Sequence, residues 1–86
     1  MFVVAVYDVV SERNPRVLRH CRKFLHHVQN SVFEGRLSEA QLREFRGGLS
    51  QVLGEGDRVA LYLVPSASSV ERVLLGEQAV SGDTVI

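Results

Sequence analysis

The sequence predicts an α+β domain whose two helices lie against one face of a sheet. Three observations predict it. Residues 2–10 and 58–64 read as strands apolar on both sides, and residues 14–28 and 38–53 carry apolar positions at helical spacing. Clusters of Gly, Pro, Ser and Asp punctuate the boundaries between them. With 86 residues, the chain is one small domain.

In the first strand Phe2, Val4 and Val6 line one side, and Val3, Ala5, Tyr7 and Val9 line the other. Two helices can cover one side. The other needs a partner, most simply a second copy of the chain. Asp8 follows apolar neighbours, and its charge requires pairing, a metal or water.

Asn14-Pro15 predicts a helix start, with Asn14 as the N-cap. Val17, Leu18, Cys21, Phe24, Leu25 and Val28 then form an apolar stripe, opposite Arg16, Arg19, His20, Arg22, Lys23, His26 and His27. That polar side reads as a solvated face, whereas Arg13 and Arg16 fall beside the strand tip bearing Asp8. Residues 28–36 read as one strand ending near Gly35.

Ser38 and Gln41 form a capping box, and Leu37 with Leu42 a hydrophobic staple, at the head of the second helix. Its stripe runs through Phe45, Leu49, Val52 and Leu53, with Gly54 expected as a C′ residue. The mid-helix pair Gly47-Gly48 costs about 1 kcal/mol per glycine and points to a kink or a close approach. Glu55-Gly56-Asp57 is a turn before the strand 58–64, which Pro65 stops. A further strand is expected over 71–75, then a turn at 81–83 and an apolar tail.

The composition is that of a globular protein, 45% hydrophobic and 23% charged. No apolar run reaches the roughly 18 residues of a membrane span, and the apolar start lacks the basic flank of a signal peptide. Cys21 is the single cysteine, so no intrachain disulfide forms; it reads as a small buried hydrophobe and fits a reducing cytoplasm. Net charge is zero, which argues against indiscriminate coating of nucleic acid. The charge is uneven, however. Residues 1–37 hold six Arg or Lys against three acids, and residues 38–86 hold four against seven. A dimer would double the basic surface, a signal toward a polyanion partner.

Val6-Tyr7-Asp8-Val9, the run Val28-Gln29-Asn30-Ser31-Val32-Phe33-Glu34-Gly35, and Asp57-Arg58-Val59-Ala60-Leu61-Tyr62 together resemble the Cas-two family of CRISPR-associated adaptation proteins. The resemblance spans almost the whole chain, and Gln-x-Ser-Val-Phe-Glu is its most specific part. It implies a ferredoxin-like fold (βαββαβ), an antiparallel sheet with two helices on one face, over residues 1–86. It also implies a face-to-face homodimer, with the C-terminal tail, about 82–86, pairing with the other protomer. Such dimers are the central piece of the complex that captures foreign DNA for a CRISPR array, where the partner integrase, the Cas-one protein, does the transfer chemistry. Some members are metal-dependent endonucleases acting on RNA or double-stranded DNA.

By the same resemblance Asp8 is the acidic residue and Mg²⁺ ligand at the dimer axis, Tyr7 its aromatic neighbour, Arg16 a basic position early in the first helix and Phe33 the aromatic of the second strand. Two departures stand out. His27 occupies a place where some relatives carry arginine, which clamps phosphate better. The glycine pair in the second helix is the other.

From the residues alone, one carboxylate per chain is poor equipment for hydrolysis, since Mg²⁺ takes one or two carboxylates, waters and phosphate oxygens. Two Asp8 side chains meeting across a two-fold axis would supply such a site; bonded to Arg13 or Arg16, they would be structural. His20, His26 and His27 lack the further ligands of a zinc site. The dispersed arginines suit contacts to a nucleic-acid backbone without base reading. Two functions are therefore expected: a homodimeric DNA-binding scaffold that bridges integrase subunits, or a Mg²⁺-dependent endonuclease.

Overall fold

The computed structural model describes residues 1–66, 70–73 and 75–76. Six elements follow in the order β1 (Phe2–Asp8), α1 (Asn14–Arg22), β2 (His26–Gln29), β3 (Val32–Arg36), α2 (Glu39–Val52) and β4 (Arg58–Val64). The sheet order is β2-β3-β1-β4, with every neighbouring pair antiparallel. This is the ferredoxin-like α+β sandwich, with β1 in the middle and both helices on one face.

That face holds the core. Val3, Ala5 and Tyr7 of β1 pack with Phe33 against Val17 and Cys21 of α1 and Phe45 and Leu49 of α2. Phe2 is buried too, but outside this cluster. Across the opposite face His26, Glu34, Val4 and Tyr62 form one row spanning all four strands. Val32, Val6 and Ala60 form the next. Among the described residues no helix covers these rows: Val6 is 37% exposed and Tyr62 60%. Part of the cover comes from the chain itself, because Arg72 pairs with Glu34 there. Among the described residues, no helix is long and apolar enough to cross a membrane.

Several boundaries differ from the sequence reading. The first helix ends at Arg22 rather than near Val28, since residues 26–29 leave it to form β2. Phe24 and Leu25 keep the apolar stripe going by reaching the core from the connecting turn. The expected strand 28–36 is a hairpin, turned at Asn30, whose φ of +41° only a few residue types adopt readily. This hairpin supplies the sheet's fourth strand. The strand expected over 71–75 is absent from the described residues there. The C-terminal tail lies outside the described residues.

The N-cap of α1 is Arg13 rather than Asn14, and it makes no side-chain cap. The capping box of α2 forms as expected: the Gln41 N–H donates to Ser38 Oγ at 3.1 Å and the Ser38 N–H to Gln41 Oε1 at 2.8 Å. Gly48 marks a close approach of the two helices: a Cβ there would fall 2.0 Å from the His20 ring, whose Nε2 lies 2.9 Å from the Phe45 carbonyl oxygen. Gly54 is small for a similar reason. A Cβ would meet the Arg13 guanidinium carbon at 2.5 Å, and α2 ends with Leu53 extended.

Candidate functional site

Strand β1 delivers Asp8 to the open end of the sheet, directly opposite Arg58 at the start of β4. One guanidinium nitrogen of Arg58 lies 4.0 Å from an Asp8 carboxylate oxygen, and both side chains are more than four-fifths exposed (83% and 84%). Val6, Tyr7, Asp8, Arg58, Val59 and Ala60 line a shallow cleft there.

Behind this pair stands a second carboxylate with the opposite character. Asp57 has a fully covered side chain. It accepts the Val10 N–H at 3.0 Å and the Gly54 N–H at 2.9 Å, and pairs with Arg13 Nε. Arg13 also donates to the Glu55 carbonyl at 3.2 Å. Hydrogen bonding to Arg13 above all, then the two N–H donors, holds the Asp57 carboxyl well below the usual carboxylate range. The effect is mechanical as much as electrostatic. The joint after β1 is tied to the turn before β4, so the main chain is fixed close to both Asp8 and Arg58.

The four expected site residues do not converge. Asp8 points to the open face, while Tyr7, its neighbour in an alternating strand, points into the core. Tyr7 stacks on Phe33 with ring centroids 6.2 Å apart, and burial raises its phenol pKa, with the Cys21 charge adding and Arg22 opposing. Phe33 is fully buried and stacks on His27 at 4.5 Å. Tyr7 and Phe33 thus support the strands under the helix layer. Arg16 is exposed in the first turn of α1. Arg13, one of two partners expected for Asp8, is committed to Asp57.

His27 Nε2 lies 2.6 Å from the Asn30 carbonyl oxygen, so its N–H closes the hairpin turn. Cys21 is buried, with its thiol pushed up to about 11 by desolvation, and is unreactive at neutral pH. Among the described residues no group of three or more His, Cys, Asp and Glu is placed to hold a metal ion. Asp57 and Arg58 were visible in the sequence only as a turn residue and a strand's first residue. The signal for them was their place, side by side, in a segment of the family resemblance.

On the helix side, α1 presents Arg16, Arg19, Arg22 and, just past its end, Lys23 to solvent, with no acid anywhere from Arg13 to Leu25.

Comparison with known proteins agrees with this architecture. The family model for CRISPR-associated protein Cas2 matches residues 1–72. A relative from Frankia alni named CRISPR-associated endoribonuclease Cas2 is 47% identical over the full length of both chains. Another from Archaeoglobus fulgidus, CRISPR-associated endoribonuclease Cas2 2, is 41% identical and covers 100% of this chain and 96% of its own. A crystal structure of a Cas2 superposes with a TM-score of 0.86 at 37% identity, covering 100% of this chain and 98% of that one. Streptococcus pyogenes Cas2 gives 0.71 at 30% identity, covering 85% and 99%. Sequence and fold together establish that the chain belongs to the Cas2 family of CRISPR-associated proteins.

Proposed function

We propose that the protein is a homodimeric scaffold of CRISPR adaptation, holding double-stranded DNA on its basic helix surface and bridging integrase subunits of the Cas-one type. Family membership supports the role in adaptation. The observation that carries the finer reading is the acid-free exposed surface of α1, with Arg16, Arg19, Arg22 and Lys23. Such a surface neutralises phosphates without reading bases. A second copy covers the rows around Val4, Val6 and Tyr62 and doubles the basic face. In this reading the protein works in the cytoplasm, where DNA and integrase are found.

Duplex binding measured against salt tests it. Arg16→Glu and Arg19→Glu each weaken binding across unrelated sequences and lower the salt slope by about one. Sequence-dependent losses, or none, overturn the reading. With the integrase present, Asp8→Ala retains integration.

A second reading is a Mg²⁺-dependent endonuclease acting on RNA or double-stranded DNA, favoured by the endoribonuclease names of the relatives and by the exposure of Asp8. The residues of one protomer do not fit Mg²⁺. They offer a single exposed carboxylate with a guanidinium 4.0 Å away, whereas the ion takes six oxygens in near-octahedral array. This reading requires Asp8 from two protomers. Cleavage abolished by both a chelator and Asp8→Ala would favour it over the scaffold.

A further inference from the structure

Helix α1 carries the basic surface, yet no side chain of its own secures its first turn. The N-cap residue is Arg13, which makes no side-chain cap, and the first turn holds no acid. At nine residues the helix is too short to be stable by its local bonds alone. Its anchor stands 44 residues away. Asp57, with a fully covered side chain, holds the Arg13 guanidinium through Nε, and Arg13 also donates to the Glu55 carbonyl at 3.2 Å. The same carboxylate accepts the Val10 N–H, and the Val10 carbonyl takes the N–H groups of Arg13 and Asn14 at 3.0 and 3.1 Å. The Arg13 carbonyl in turn takes those of Arg16 and Val17, both at 3.1 Å. A continuous series of bonds thus runs from the turn before β4 to the backbone of Arg16.

We propose that Asp57 and Arg13 are positioning residues for the nucleic-acid surface, and that Arg13 is a strut for the first turn of α1 rather than a phosphate ligand. The inference rests on the duplex-binding reading and adds to it two residues that do not touch the duplex. With the clamp intact, Arg16 and Arg19 are presented on an ordered turn. Without it that turn has to be fixed again on binding, and affinity falls by the ordering cost. The cations that neutralise phosphates stay the same, so counterion release does not change. Electrostatics alone gives the opposite sign for Asp57, because removing an acid near a polyanion surface strengthens binding.

The test is binding of a mixed-sequence DNA duplex to the full chain across a salt series, at a temperature where circular dichroism shows every variant folded. Asp57→Asn and Arg13→Gln each bind about three- to tenfold more weakly than the unmodified protein, with the salt slope unchanged. The double variant stays within about twofold of either single one, because both break one contact. Amide exchange at Arg16 and Val17 is faster in both single variants. Equal or tighter duplex binding by Asp57→Asn overturns the proposal, as does unaltered exchange at Arg16 and Val17. A salt slope lowered by about one in Arg13→Gln also overturns it, since Arg13 would then be a phosphate ligand. Arg16→Glu separates the two levels: full affinity in that variant removes the duplex-binding reading and the strut with it. Weakening by Arg16→Glu but not by Asp57→Asn removes the strut alone.

Discussion

Arg72 brings its guanidinium Nε to 2.5 Å from a Glu34 carboxylate oxygen, on the sheet face that neither helix covers. Glu34 lies in the middle of β3 between His26 and Val4, and as a whole residue it is buried, at 9% exposure. The pair draws a segment from beyond β4 back across the sheet. The face is thus partly closed by the chain itself, around Glu34, and open around Val6 and Tyr62.

Breaking this pair from one side leaves the other charge poorly solvated. Glu34→Gln and Arg72→Gln are each expected to cost about 2–3 kcal/mol, below the value for a fully buried pair because both side chains retain some exposure (11% and 19%). The double variant costs less than the sum. Urea unfolding midpoints measure the cycle, and amide exchange at residues 70–73 is faster in all three variants.

Asp57 confers acid sensitivity with a definite sign. Its folded pKa is depressed by Arg13 and two N–H donors, so its contribution to stability is complete above the unfolded carboxylate value of about 4. That contribution declines as the pH falls below this value toward the lower folded one. Asp57→Asn therefore lowers the thermal midpoint at pH 7 by several degrees and narrows its gap to the unmodified protein between pH 4 and pH 2. A constant gap across that range would contradict the assignment. Arg13→Gln shows the same convergence.

The two adjacent glycines of α2 are expected to respond in opposite directions. A Cβ at Gly47 meets nothing within 4 Å, so Gly47→Ala gains helix propensity and stabilises by about 0.5–1 kcal/mol. At Gly48 the Cβ would occupy the place of the His20 ring, which is stacked on Phe45 with centroids 5.6 Å apart. Gly48→Ala destabilises by about 1–3 kcal/mol. Combined with His20→Ala, the added Cβ finds room, and the double variant is more stable than the two single effects predict. Denaturant titration of the four proteins decides this.

Much of the fold was legible because its signals are local. Ser38 and Gln41 are three residues apart, and their reciprocal bonds follow from that spacing. The alternation of β1 already placed Tyr7 and Asp8 on opposite sides. The β2–β3 hairpin was not legible, because Leu25 and Val28 prolong the helical stripe while His26 and His27 look like its polar face. Asn30 was the remaining clue. Asp57 was missed for another reason: beside Gly56 a carboxylate reads as a solvated turn residue, and two of its partners stand 44 and 47 residues away. Arg72 was expected in a strand, yet its position is governed by Glu34, a contact that no periodicity encodes.

Val6 offers the sharpest test of the proposed pairing of two chains. It occupies the middle of the row Val32–Val6–Ala60, on the uncovered face, and is 37% exposed within the single chain. A lysine there can keep its ammonium in water while the chain is alone, so folding changes by less than about 1 kcal/mol. Against a second sheet the same ammonium would be buried without a partner, at a cost of several kcal/mol and on both protomers at once. Val6→Lys is therefore expected to sediment as a monomer at concentrations where the unmodified protein is a dimer. It should also bind duplex DNA more weakly, because the basic surfaces of α1 are no longer joined. Dimeric Val6→Lys would place the contact elsewhere, on the β4 edge or the helices, and remove the sheet face from the assembly.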